Sequence, residues 1–312
     1  MGVFSHDLPQ LSGDPFICDG GIETDLIFNH GIDIPEFAAH TLLGDEVGQK
    51  AMEDYFHAFL DLARDLNVGF ILDSQTWKAH AHWASDLGVS EEELRAANHR
   101  SISFISSLRD KYAANSRPVV LSGIIGPKGD GYTPDQIIST RESEDYHHQQ
   151  ISWLAETDVD MVSAVTFTQS GEAAGVVNAA HKSGLPAVVS FTVETDGRLP
   201  TGQTVEDAIR SVDDATNSKA AYFMINCAHP DHFQHILEDS DWARRIHGVR
   251  CNASRKSHAE LDESETLDAG DPVELAGQYR QIKATMPWIN IYGGCCGSDL
   301  RHVTEIARVL VN

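Results

Sequence analysis

Eight short apolar runs recur along the chain, separated by longer segments with a helical rhythm. They are "FICDGG" (16–21), "GFILDSQ" (69–75), "PVVLSGIIG" (118–126), "DMVSAVTF" (160–167), "PAVVSFTV" (186–193), "AYFMINCA" (221–228), "HGVRCNA" (247–253) and "WINIYGG" (288–294). Most are rich in Val, Ile and Phe, as strands buried on both faces must be. Between them, 45–66 repeats apolar residues every three or four positions, and 90–113 opens with a capping box of Ser90 and Glu93. Segment 204–216 starts on a Thr cap, 271–285 on Asp271 with Pro272 at the first helical position, and 298–311 closes the chain. Eight β-then-α units in 312 residues predict a (β/α)8 TIM barrel forming a single domain over 1–312. A doubly wound open sheet would use the same alternation. No GxGxxG follows the first run, however, and the chain ends after the eighth unit with no length left for a second domain. The polar, acidic stretch 254–271 predicts a long loop over the top of the barrel after strand 7.

Charge narrows the partners. Lys and Arg total 23 against 47 Asp and Glu, a formal net charge of −24. A surface this acidic repels phosphate backbones and anionic lipid, so neither nucleic acid nor membrane is expected as a partner. No apolar run approaches the ~18 residues of a membrane span. The N-terminal "MGVFSHDLPQ" has neither the basic nor the apolar region of a signal peptide, and His6 spoils the myristoylation pattern that Gly2 begins. Five cysteines is an odd number without disulfide-scaffold spacing, which predicts a reduced, cytoplasmic protein. Nothing in the sequence specifies an oligomeric state.

In such a barrel the active site lies at the C-terminal ends of the strands. Cys227, Cys295 and Cys296 all fall there, at the ends of strands 6 and 8. Three thiolates converging on one point suit zinc, which takes sulfur at ~2.3 Å and, with three protein ligands, keeps a fourth position open for chemistry. Adjacent residues on a regular strand point to opposite faces. For Cys295 and Cys296 to share an ion the backbone must leave strand geometry, which the flanking glycines of "GGCCG" permit. The plainer alternative is that these cysteines are simply buried, as expected of Cys18 and Cys251. A competing metal site would use His80, His82 and His229 in a hydrolase.

The "GGCCG" at 293–297, the "INC" at 225–227 with Pro230, and the "DGGIET" at 19–24 resemble the zinc-dependent homocysteine S-methyltransferases. "GIIGPKGDGY" and "VVSFTVETDGRLPTGQTVEDAI" look like that family's third- and fifth-strand segments, so the resemblance runs from Asp19 to Val309. It implies one zinc held by Cys227, Cys295 and Cys296. It implies a methyl group moved from a small onium donor, sulfonium or quaternary ammonium, to a thiol, with homocysteine giving methionine. Asp19 would help hold the acceptor's ammonium, Gly20 and Gly21 would admit substrate close to the backbone, and Trp77 would face the onium cation. Thr166 and Asn252 match the family's strand-4 and strand-7 ends.

Two positions depart from the pattern. Val165 stands where the family has an acceptor-binding glutamate before Thr166, and Glu23 stands where "DGGxGT" has glycine. One carboxylate is lost and one gained. Either Glu23 takes over the ammonium, or the acceptor is a different thiol or methylated substrate. A zinc- or thiol-binding protein without turnover is a further alternative. All-thiolate ligation disfavours hydrolysis.

Overall fold

The computed structural model describes residues 2–112, 117–129, 131–132 and 136–311. Eight parallel strands close in sequence order into one barrel: β1 Phe16–Ile17, β2 Gly69–Asp73, β3 Val119–Ile125, β4 Met161–Phe167, β5 Ala187–Phe191, β6 Ala220–Asn226, β7 Ile246–Cys251 and β8 Ile291–Gly294. Closure is made at β1, where Phe16 pairs with Gly69 of β2 and with Ile291 of β8. The period of two sorts each strand into two cores. Ile71, Val120, Tyr222 and Met224 fill the barrel interior, while Phe70, Leu72, Leu121, Phe223 and Ile225 face the surrounding helices.

The expected caps are present. Glu93 N donates to Ser90 Oγ (3.2 Å) at the head of helix Glu91–Tyr112, and Asp271 accepts from Val273 N (2.8 Å) and Glu274 N (2.9 Å). The expected helical end at Ala113 lies outside the described residues.

Four features differ from the sequence reading. First, β1 is two residues long instead of six. After Cys18 the chain turns away from the sheet, and Gly21 N donates to Ser298 O (2.9 Å). Second, β8 begins at Ile291, later than the expected Trp288. Third, two further helices, Thr140–Ala155 and Ser170–Lys182, follow β3 and β4. Fourth, the sixth unit has no full helix, only the short turn Pro230–Phe233 and two 3-10 turns. The large apolar side chains buried there are Phe233, Leu237 and Trp242, spaced by four and five, which does not sustain one helical stripe.

The two ends of the barrel are closed differently. At the N-terminal ends of the strands, residues 2–14 form a plug. Phe4 N donates to Asp160 Oδ1 (2.7 Å), Gln10 Nε2 donates to Tyr222 Oη (3.2 Å), and Asn290 Nδ2 donates to Gln10 O (2.8 Å) and Asp14 O (2.7 Å). At the other end a cavity of about 560 Å³ stays open. The acidic stretch after β7 supplies one of its walls, as expected, with a single helical turn His258–Asp262. Among the described residues no helix is long and apolar enough to cross a membrane.

Candidate metal and substrate site

The three cysteines meet at the mouth of this cavity. Their sulfur atoms all lie within 4.8 Å of one another, and among the described residues they are the only group of three His, Cys, Asp or Glu side chains converging in this way. Local backbone geometry aims them. β6 ends at Asn226, and Cys227 adopts a left-handed φ of 52°, uncommon for a residue with a side chain. That turn is pinned on every side. Cys227 N donates to Arg250 O (3.1 Å), and its carbonyl accepts from Asn252 Nδ2 (3.0 Å) and Thr192 Oγ1 (3.4 Å). Cys295 and Cys296 sit on a turn after β8, with Cys295 N bonded to Cys251 O (2.9 Å) and Gly297 at φ 78°.

The glycines work differently from the sequence reading. Only Gly297 of the "GGCCG" group needs a left-handed backbone. Gly294 is required by close packing, since a Cβ there would fall 1.9 Å from Ser298 Oγ. Gly20 and Gly21 do line the cavity, but a Cβ on Gly21 would fall 2.5 Å from Cys295 O. They make room for the cysteine turn.

Cys227 Sγ and Cys296 Sγ are 3.9 Å apart. Two thiolates on a tetrahedral zinc at ~2.3 Å sit ~3.8 Å apart, so this pair already has ligand spacing. Cys227 and Cys295 are joined as a disulfide, with Cα atoms 5.4 Å apart. The donor set fits a thiolate-bound metal once that bond is reduced. Burial, and then the nearby Glu23, push the free Cys296 thiol up to about 11, so this sulfur is protonated without a cation beside it. Tyr132 Oη lies 3.9 Å from Cys296 Sγ and stacks on His258, with ring centroids 4.1 Å apart.

Below the thiols lies a charged floor that the sequence reading did not assign. Arg250 on β7 donates from Nη2 to Asp19 Oδ1 (2.6 Å), from Nη1 to Asp73 Oδ2, and from Nε to Gly294 O (3.2 Å). Tyr55 Oη donates to the other oxygen of Asp19 (3.2 Å). Asp19, expected to hold an ammonium, is thus engaged on both oxygens. Burial pushes it up to about 7, against the pull of Arg250. The available signal was a lone Arg within an apolar strand, "HGVRCNA", since a charge there needs a partner.

The remaining expected residues divide. Glu23, Trp77 and Val165 line the cavity. Trp77 Nε1 donates to Val165 O (3.1 Å), which fixes the indole against β4. Thr166 also lines the cavity, at a left-handed φ of 65° in a register break of β4, and Asn226 holds it by two hydrogen bonds (2.9 and 3.1 Å). Asn252 does not line the cavity. It is buried, and its Nδ2 donates to Cys227 O (3.0 Å), which supports that turn. Cys18 and Cys251 are buried, as expected. His80 stacks on Tyr146 (3.9 Å), and His229 Nδ1 accepts from Asp231 N (3.2 Å) to cap the short helix, so the hydrolase histidines do not converge.

The family model described as homocysteine S-methyltransferase matches residues 16–310. The chain belongs to that family. It is accordingly a methyltransferase of the homocysteine S-methyltransferase type. Homocysteine S-methyltransferase 2 of Arabidopsis thaliana is 21% identical, over 98% of this chain and 96% of that protein. A selenocysteine Se-methyltransferase of Brassica oleracea var. italica is 22% identical, over 98% and 92%. Among solved structures, the homocysteine methyltransferase MmuM from Escherichia coli shares the fold. Its oxidized form matches with a TM-score of 0.73 at 16% identity, covering 95% of this chain and 96% of that one. A metallated form matches equally well, with a TM-score of 0.73 at 17% identity over 95% and 96%.

Proposed function

We propose that this methyltransferase moves a methyl group from a small sulfonium or quaternary ammonium donor to a thiol held at zinc, with homocysteine as acceptor and methionine as product. The observation that carries this reading is the convergence of Cys227, Cys295 and Cys296 within 4.8 Å at the mouth of the cavity. Zinc, when bound by the three thiolates, holds an acceptor thiol as its nucleophilic thiolate at neutral pH. The chain supplies the rest. Asn252, Thr192 and Arg250 hold the Cys227 turn in place. Trp77, locked by its N–H to Val165 O, offers an aromatic wall, and the exposed rings of Phe28 and Phe37 extend it at the rim. Aromatic faces attract an onium cation and leave its methyl group free for in-line transfer.

The experiment is direct. Reduced, zinc-loaded protein is incubated with homocysteine and a panel of onium donors, and methionine is followed by mass spectrometry. Methionine formation is expected with at least one donor. Stoichiometric zinc without methyl transfer from any donor to any thiol would favour a non-catalytic zinc- or thiol-binding protein. Val165 on the cavity wall supports a second reading, a different thiol acceptor, which methylation of another thiol in preference to homocysteine would establish.

A further inference from the structure

The cavity lining carries more carboxylates, Asp19, Glu23, Asp73, Asp262 and Asp268, than cations, Lys78 and Arg250. Arg250 is shared between Asp19 and Asp73, and Tyr55 takes the second oxygen of Asp19. Both aspartates are thus paired to Arg250, which meets their charge. At β4, Val165 offers no charge at all. Glu23 is different. It lies on the single turn Ile22–Thr24, lines the cavity, and bears electrostatically on both Asp19 and Cys296. Its carboxylate meets its own backbone N–H, and among the described residues no other side chain donates a hydrogen bond to it. Burial holds it above the usual carboxylate range. Three thiolates with one divalent zinc sum to a net negative charge, so metal loading adds no positive charge for Glu23, which feels only the shared Arg250. Glu23 is half-buried on the cavity wall, and an arriving cation relieves the cost of its partial withdrawal from water.

We propose that Glu23 is the ammonium subsite for the acceptor, replacing the pairing that Asp19 and a strand-4 carboxylate would otherwise provide. The inference rests on the methyl-transfer reading above and names the class of acceptor: a thiol carrying an amino group a short alkyl chain from sulfur. Placement favours the acceptor over the donor. The acceptor's sulfur must sit at the metal beside Cys296, where Glu23 acts, whereas the aromatic wall offered to an onium centre is Trp77 with Phe28 and Phe37; Tyr132, beside Cys296, has its ring stacked on His258.

The test compares homocysteine with 4-mercaptobutyrate, which keeps the thiol and carboxylate but lacks the ammonium. Each is titrated calorimetrically into reduced, zinc-loaded wild type and Glu23→Gln, after zinc content and melting temperature have been matched. Wild type should prefer homocysteine. In Glu23→Gln that preference should collapse by about thirtyfold, the scale of truncating one partner of a buried charged pair. Wild type binding both thiols equally would overturn the assignment without recourse to a variant. So would a variant that keeps the preference, or one that weakens an onium donor and spares homocysteine. If wild type methylates thiols but the preference is unchanged, only the subsite falls. If it binds no thiol, the methyl-transfer reading falls with it.

Discussion

Asp160 at the lower end of the barrel and Asp19 at the upper end are both buried aspartates paired with an arginine. Asp160 accepts from Phe4 N (2.7 Å), Leu121 N (2.8 Å) and Arg109 Nη1 (3.1 Å). One carboxylate there meets one cation and two backbone donors, although burial still holds it above the usual carboxylate range. Asp19 shares Arg250 with Asp73, and Glu23 stands nearby without a second residue to pair it. The backbone differs in the same sense. At the lower end the left-handed residues leading into β2 and β6 are the helix C-caps Asn67 and Asn217 and the adjoining Ser218, where such φ is ordinary, whereas Thr166 and Cys227 at the upper end adopt it with no helix to end. The lower end is built to be satisfied by the chain itself, and the upper end is left short of positive charge. Uncompensated charge and strained backbone gather where a protein binds and reacts.

The largest effect that tests this contrast is at the thiols. Cys227→Ala or Cys296→Ala should lose stoichiometric zinc and all turnover while the barrel still unfolds cooperatively at a near wild-type temperature. Zinc analysis and circular dichroism read the two properties separately. A variant that kept one zinc per chain would remove that cysteine from the ligand set.

Asp160→Ala should do the reverse. It leaves Arg109 and two backbone N–H groups without a partner under the plug, a loss of about 3–5 kcal/mol in unfolding free energy. Urea titration measures the loss. Zinc content and turnover per folded molecule should be unchanged. An Asp160 variant that folded well but bound metal poorly would mean that the two ends are coupled.

Much of this was legible in the sequence, and the exceptions have physical causes. All eight strands were found, because parallel strands buried on both faces read as continuous apolar runs. The three cysteines were found because strand ends in a barrel share one rim. Helix Ser170–Lys182 was not. Its sequence "SGEAAGVVNAAHK" is buried on most sides, so it shows no amphipathic stripe. The extent of β1 was overread, because apolar character does not reveal that Gly20 and Gly21 must leave the sheet to pass the cysteine turn. Arg250 went unassigned because its partners Asp19 and Asp73 come from strands remote in sequence. Asn252 was assigned to substrate because its neighbourhood was known and its direction was not. In the fold its amide donates to the carbonyl of the left-handed Cys227, a contact that spacing along the chain does not reveal.

The smallest expected effect is a pH dependence of stability that belongs to the upper end. Burial raises Asp19 from an ordinary 3.8 to about 7. In the unfolded chain Asp19 is ionised above about 4, whereas in the folded barrel it holds its proton to about 7. The folded state therefore binds more protons than the unfolded state across that window, and stability falls as pH rises through it. Below about 4 both states are protonated and the contribution is fully present; above about 7 it has been lost. Asp19→Asn carries no titrating proton and keeps an acceptor for Arg250. Under identical metal loading, its melting temperature should fall less than that of wild type between pH 4 and 7. Parallel profiles for the two proteins would show that Arg250 keeps Asp19 ionised throughout, and the upper floor would then be as fully compensated as the lower one.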